Sequence, residues 1–257
     1  ALHRDYNSLT MPATTDRAIV LRLSDYSETS QIAALFTRGH GLVRLIAKGI
    51  RRGTGKRVQA GLDLLECGEV SFIPSKSAAA LGILAEWRQI ALFPGLRSDL
   101  ARVYAGLYAA ELTLKLNEEY DPHADLFDAL EGHLNALEHG AAVELSVVRF
   151  QAGLLAATGY APGLRHCVSC GGPIGRTGAY FSSRAGGVLC RDCEVHQVEK
   201  RRVEAGVIAA SMQEPAQLSD EQVRGLRGLL DYHITQIAGA RPALSECLES
   251  ALRRMRR

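Results

Sequence analysis

Two Cys-x-x-Cys pairs constrain this chain more than any other feature. Cys167-Val-Ser-Cys170 and Cys190-Arg-Asp-Cys193 stand with 19 residues between them. Each pair can aim two thiolates at one cation from a single turn. Together they complete a tetrahedral sulfur shell, with zinc–sulfur distances of about 2.3 Å. Gly171, Gly172 and Pro173 follow the first pair, and Gly186 and Gly187 precede the second, so tight turns can bring the two together. The spacing predicts a structural zinc ion on Cys167, Cys170, Cys190 and Cys193. Four sulfurs leave no open position for water, which argues against a catalytic metal. His166 and His196 read as surface or outer-sphere neighbours. No His-x-Glu precedes either pair, so the zinc-deaminase pattern is missing. A four-cysteine iron–sulfur cluster would use the same ligands.

Of the six cysteines, Cys67 and Cys247 stand alone and read as small buried hydrophobes. The opening ALHRDYNSLT lacks the apolar core of a signal peptide. No apolar run approaches the roughly 20 residues that cross a bilayer. Metal ligation in a reducing cytoplasm is therefore expected rather than a disulfide framework or a membrane protein. Met11 opens a fresh reading, and residues 1–10 are treated as an upstream extension.

The first part of the chain reads as strands. Arg17 to Leu23, Ser30 to Phe36, Gly41 to Lys48, Leu62 to Ile73 and Ala79 to Trp87 are short apolar runs bounded by turn residues. Arg38-Gly39-His40-Gly41 is a hairpin turn in which glycine supplies positive φ. Five strands in this space suggest a small barrel, and an OB-type or an SH3-like barrel satisfies the pattern equally well.

After Pro94 the period becomes helical. Leu100, Val103, Tyr104, Leu107 and Leu114 form one stripe, with Ser98 as the expected cap. Leu126, Phe127, Leu130, Leu134 and Leu137 form a second, stopped by Gly140. Val143 to Thr158 is apolar on most sides and is expected at the centre of the helical domain. Beyond the cysteines, Ser219-Asp-Glu-Gln222 fits a capping box ahead of Val223, Leu226, Leu230, Ile234 and Ile237.

Thirty Lys and Arg against 28 Asp and Glu give a net charge of only +2, but the charges are unevenly placed. Arg38, Arg44, Lys48, Arg51, Arg52, Lys56 and Arg57 fall in one segment with no acid among them, whereas Glu118, Glu119, Asp121 and Asp125 gather later. In the strand Gly41 to Lys48, Val43, Leu45 and Ala47 can enter the barrel while Arg44, Ile46 and Lys48 face out. Arg44 and Lys48 then lie about 13 Å apart, suited to a polyanion. A solvated loop that keeps the domain in solution would look the same. Phe36, Phe72 and Trp87 read as core rather than stacking platforms, and Glu66, Glu69 and Glu86 as solvent-facing strand residues. No phosphate loop, His-Glu-x-x-His, Gly-x-Ser-x-Gly or catalytic carboxylate pair is found, so no enzyme is expected.

The order of these features resembles the bacterial RecO family: the Ala18-Ile-Val-Leu and Tyr26-Ser-Glu-Thr-Ser30 strands, Gly41-Leu-Val-Arg-Leu-Ile-Ala-Lys-Gly-Ile-Arg-Arg52, a helical middle, then Cys-x-x-Cys-Gly and Cys-x-x-Cys. The resemblance runs from about Asp16 to the last helices. It implies an α+β multidomain chain: an N-terminal OB-fold β-barrel, then an all-helical domain with an inserted four-cysteine zinc knuckle. The divisions are an N-terminal extension at 1–15, the OB-fold DNA-binding domain at 16–93, helical residues 94–162, the zinc insertion 163–197 and helical residues 198–257. It implies a recombination mediator of the RecF pathway, in the cytoplasm at the nucleoid. Such a protein binds single- and double-stranded DNA, anneals strands, works with RecR, helps load RecA and contacts the tail of single-stranded DNA-binding protein. That tail is acidic with an apolar end, so its site needs a hydrophobic pocket beside a cation, and Arg149 is a candidate. The terminal Arg253, Arg254, Arg256 and Arg257 could extend the DNA surface or complement a helix dipole. The alternatives are an RNA- or ribosome-binding module on the same barrel, and a metal-dependent hydrolase with an open coordination site.

Overall fold

Strand alternation closes the N-terminal residues into a barrel. The computed structural model describes residues 13–28, 30–48, 62–75, 80–174, 178–214 and 217–256. Its first five strands are β1 (Thr14–Asp25), β2 (Ser30–Thr37), β3 (Gly41–Lys48), β4 (Cys67–Ile73) and β5 (Gly82–Ala91). They form a closed barrel in the order β1-β2-β3-β5-β4. All neighbours are antiparallel except β3 and β5, which run parallel. This is the OB-type arrangement. Ala18, Val20, Ala33, Leu35, Val43, Leu45, Ala47, Val70, Phe72 and Trp87 fill the interior. Phe36, Phe72 and Trp87 are buried, as expected of core residues.

Three details depart from the sequence reading. β1 is longer than expected, and the apolar run from Leu62 enters the sheet only at Cys67. Leu65 adopts φ 68°. There the backbone crosses β1, with Leu65 N donating to Val20 O (2.8 Å) and Val20 N to Glu66 O (3.0 Å). This turn carries Glu66 inside, so it is a buried residue rather than a solvent-facing one.

The chain divides into two compact units, one ending at Leu92 and the other starting at Phe93; Glu119–Pro122 belongs to the barrel unit. The second unit contains α1 (Leu100–Leu116), α2 (Ala124–Glu138), α3 (Val143–Ala157), α4 (Arg191–Glu194), α5 (Ala205–Ala210), α6 (Asp220–Ala238) and α7 (Ser245–Met255), with strands β6 (Ala179–Ser182), β7 (Gly187–Leu189) and β8 (Arg201–Val203). Helix α3 packs on α1, α2 and α6, the central place its apolar breadth demands. Asp99, not Ser98, caps α1, its side chain accepting from Ala101 N at 2.7 Å; the Ser98 hydroxyl donates instead to Gly95 O. The buried face of α1 is built from Ala101, Ala105, Tyr108, Ala109 and Leu112, and Leu100 is exposed. Small residues there let neighbouring helices approach closely, a signal that counting leucines does not weigh. The α2 stripe is buried throughout, and the capping box at Ser219 and Gln222 is present. Cys67 is buried as expected, but Cys247 is only half-buried.

His133 lies wholly inside the helical unit, its ring within 2.8 Å of Ser146 Oγ and 3.3 Å of Ala105 O. Burial lowers its pKa from 6.5 to about 4. The unfolded chain therefore takes up a proton on falling below about pH 6.5 that the folded chain refuses until about pH 4. Stability from this group is full above that window and is lost as pH falls through it. Between pH 7 and pH 5 the loss is roughly 2 kcal/mol. Urea unfolding at those two pH values should show this extra loss in the wild type and not in His133→Gln. Equal losses in both proteins would contradict the assignment.

Candidate metal site and nucleic-acid interface

The four cysteines converge as their spacing requires. The sulfurs of Cys167, Cys170, Cys190 and Cys193 all lie within 4.8 Å of one another. Cys170 Sγ and Cys190 Sγ are 3.8 Å apart. A tetrahedron with metal–sulfur bonds of about 2.3 Å has edges of about 3.8 Å. The first pair sits on a turn closed by Gly171 N to Cys167 O (2.8 Å) and Cys167 N to Gly172 O (2.9 Å). Gly172 N donates to Cys170 Sγ at 3.4 Å. The second pair straddles the start of α4.

The titration of this cluster favours a cation. Burial raises the Cys167 thiol, but hydrogen bonds from the backbones of Cys190, Cys170 and Ser169 outweigh it and bring it down to about 6. The Ser169 hydroxyl lowers Cys193, yet the thiols of Cys190 and Cys170 push it up to about 12. Sulfurs this close do not all ionise unaided, and a divalent ion at their centre removes that repulsion. The residues therefore fit a bound metal ion. His166 and His196 are exposed and stand outside the four-sulfur group.

The sheet carrying this site is fastened independently of the cysteines. It has the order β7-β6-β8, and β8 carries it past the sequence boundary at 197. Phe181, Val188 and Val203 pack with Ile208 of α5 and Leu229 of α6. The Glu199 carboxylate accepts from Ser182 Oγ (2.9 Å), Ser183 N (3.3 Å), Arg184 N (2.9 Å) and the Tyr232 hydroxyl. Burial raises the Glu199 pKa, but these donors outweigh it and leave the carboxyl below its ordinary value. Ser183 Oγ also lies 2.6 Å from His233 Nδ1 on α6.

On the barrel, β3 alternates as expected. Val43, Leu45 and Ala47 are buried, and Arg44 and Lys48 are exposed. Arg38 is also exposed, but it stands in the β2–β3 turn, at the opposite end of β3 from Lys48, roughly 23 Å away along the strand. Among the described residues, Arg38 and Lys48 therefore do not stand together. Arg51, Arg52, Lys56 and Arg57 lie outside the described residues.

One cation escaped the sequence reading. Arg22 pairs across the sheet with Ala34, and Ala34 pairs with Arg44. A bulge between Val20 and Arg22 shifts the register, so Val20 faces in while Arg22 faces out and is exposed. Arg22 and Arg44 thus lie two strand spacings apart, about 10 Å, with a small residue between them. The adjoining row is aliphatic: Ile32 pairs with Ile46 and Ile46 with Ile83, the last exposed. A single polar residue in an apolar run was the available signal for Arg22. The bulge that turns it outward leaves no mark in the sequence.

Arg44 is not wholly available, because it forms an ion pair with Glu119. Elsewhere on the barrel Arg88 pairs with Glu69 at 3.0 Å. In the helical unit Arg149 is exposed at the edge of a cavity of about 290 Å³, lined by Leu145, Val148, Leu164, Leu226 and Leu230 among others. The C-terminal arginines are partly spent: Arg256 pairs with Glu144 (2.8 Å) and Arg253 with Glu249 (2.7 Å). Arg257 lies outside the described residues. Among the described residues no helix is long and apolar enough to cross a membrane.

Comparison with known proteins places this chain among DNA repair proteins. Residues 11–93 match the family model described as Recombination protein O N terminal, and residues 97–242 match Recombination protein O C terminal. A DNA repair protein RecO of Rhodopirellula baltica is 35% identical over 182 residues, covering 70% of this chain and 67% of that protein. Those of Anaeromyxobacter dehalogenans and Myxococcus xanthus are each 30% identical, covering 89% and 88% of this chain and 94% and 93% of their own lengths. The chain belongs to the RecO family.

The separate fastening of the sheet predicts a local response to metal removal. Chelation should release one metal ion per chain. It should speed amide exchange around the turns at 167–172 and 190–196, and leave the α1–α3 interior protected. Loss of protection throughout α1–α3 on chelation would contradict this.

Proposed function

We propose that this protein is a recombination mediator without turnover chemistry, which binds single- and double-stranded DNA on the β1–β2–β3 face of its barrel. In this reading it anneals complementary strands and, with RecR, helps load RecA at the nucleoid. The observation that carries it is the outward group of Arg22, Arg44 and Lys48 on strands whose inward residues are fixed in the core. Membership of a DNA repair family supplies the setting. The cations are matched to phosphate, and the neighbouring isoleucines offer apolar contact without hydrogen-bond readout. Such a face binds with strong salt dependence and weak sequence preference. Arg38 and the residues Arg51, Arg52, Lys56 and Arg57 extend the positive charge along the chain in this reading.

Zinc is the ion we assign to the four cysteines: it favours a closed tetrahedral thiolate shell and needs no redox partner. Its role is to staple the two turns. The cavity beside Arg149 suits the tail of single-stranded DNA-binding protein, an acidic peptide with an apolar end. Leu145, Val148 and Leu226 would take that end, and Arg149, which has no ion-pair partner among the described residues, would face its charge.

Strand annealing tests both parts. Replacing Arg22 and Lys48 with Glu should slow annealing of complementary oligonucleotides whether bare or coated with single-stranded DNA-binding protein. Each lost phosphate contact should flatten the salt slope of single-strand binding by about 0.7. Arg149→Glu should slow annealing only of coated strands. Unchanged binding and annealing by the Arg22 and Lys48 variants would overturn the barrel reading, and tighter binding of RNA than of DNA would favour an RNA-binding role.

A further inference from the structure

Glu119 is fastened beside Arg44 by the backbone. It lies in the short connection between α1 and α2, and this connection is laid along the start of β3. Leu42 and Glu119 form a parallel bridge, and Tyr120 N donates to Leu42 O at 3.0 Å. Tyr120 holds a left-handed φ of 60°, and its hydroxyl accepts from Ser75 N at 3.5 Å. Gly41, at φ 69°, makes the approach possible: a Cβ there would stand 2.1 Å from Asp121 O. The Glu119 carboxylate is consequently presented to Arg44 rather than meeting it by chance, and it is the more sheltered partner, 21% exposed against 58% for the arginine.

This contact occupies the corner of the outward cationic group: Arg22 lies across the sheet from Arg44, through Ala34, and Lys48 lies four residues further along β3. Arg22 and Lys48 have no ion-pair partner among the described residues, whereas Arg44 does. Both groups of the Arg44–Glu119 pair are partly solvated, so the pair is weak enough to exchange for another anion. A phosphate backbone already held by the flanking cations brings a second phosphate to Arg44 at high local concentration, which an isolated anion does not.

We propose that Glu119 is a built-in competitor for the nucleic-acid backbone at Arg44. It withholds one phosphate contact until a strand already engaged by Arg22 and Lys48 displaces it. The inference rests on the reading of the β1–β2–β3 face as a DNA surface, and it adds a residue that tunes that surface by competing rather than binding.

The test is a salt titration of binding to a labelled mixed-sequence single-stranded oligonucleotide, using full-length wild type, Glu119→Gln, Arg44→Gln and the double variant. Glutamine keeps the shape and hydrogen-bonding reach of Glu119 while removing its charge, and thermal melting checks that each variant folds. Glu119→Gln should bind about five-fold more tightly at 0.1 M salt, because no carboxylate has to be displaced, with a salt slope little changed because the same phosphate contact forms in both proteins. The double variant should lose that gain. A gain that persists without Arg44 overturns the proposal in favour of a general charge effect. No gain in Glu119→Gln, in a protein whose binding does fall on replacing Arg22 or Lys48, overturns the competitor and leaves the DNA surface standing. If those two replacements are also silent, surface and competitor fall together.

Discussion

Closure of the barrel commits every strand to an inside and an outside, and the proposed chemistry depends on that division. Because β3 bonds to β2 on one side and to β5 on the other, Val43, Leu45 and Ala47 must face the core. Arg44 and Lys48 then have no choice but to face out. A one-residue slip in register would bury both charges, at a cost the small core could not offset. The same closure acts on β1, where the bulge after Val20 lets one strand keep Val20 and Leu23 against the core while presenting Arg22 to solvent. The face is therefore a consequence of packing, not a collection of mobile side chains.

The metal site follows a different logic. Its four thiols gather at a small sheet that is already held to α5 and α6 by Phe181, Val203 and the Glu199 carboxylate. A cation there would hold all four sulfurs as thiolates and fix the two turns, while the sheet beneath has its own attachments. In the proposed function this separation gives the metal a local duty and leaves the cationic barrel face to meet the polyanion.

Much of this was legible in the sequence because it rests on local rules. The cysteine spacing named the four thiols that converge, and the β3 alternation named the outward cations. The apolar breadth of Val143 to Thr158 marked the central helix. What the sequence hid depends on long-range geometry. The Arg38 to Arg57 run looked like one patch, but strand direction sets Arg38 and Lys48 at opposite ends of β3. The acidic residues near Glu119 looked remote from the basic segment, yet a left-handed Tyr120 and a glycine at position 41 bring Glu119 onto Arg44. Glu66 read as a surface carboxylate until the positive φ at Leu65 turned it inward. In each case a backbone conformation that composition does not encode decided where a charge ended up.

In the proposed function DNA meets the barrel face while the cysteine site serves as a staple. Photo-crosslinking of a single-stranded oligonucleotide carrying 5-iododeoxyuridine, followed by peptide mapping, asks this directly. Crosslinks to peptides of β1, β2 and β3 are expected, with the segment 163–197 unlabelled. Crosslinks concentrated on that cysteine-bearing segment, with the barrel strands unlabelled, would contradict it.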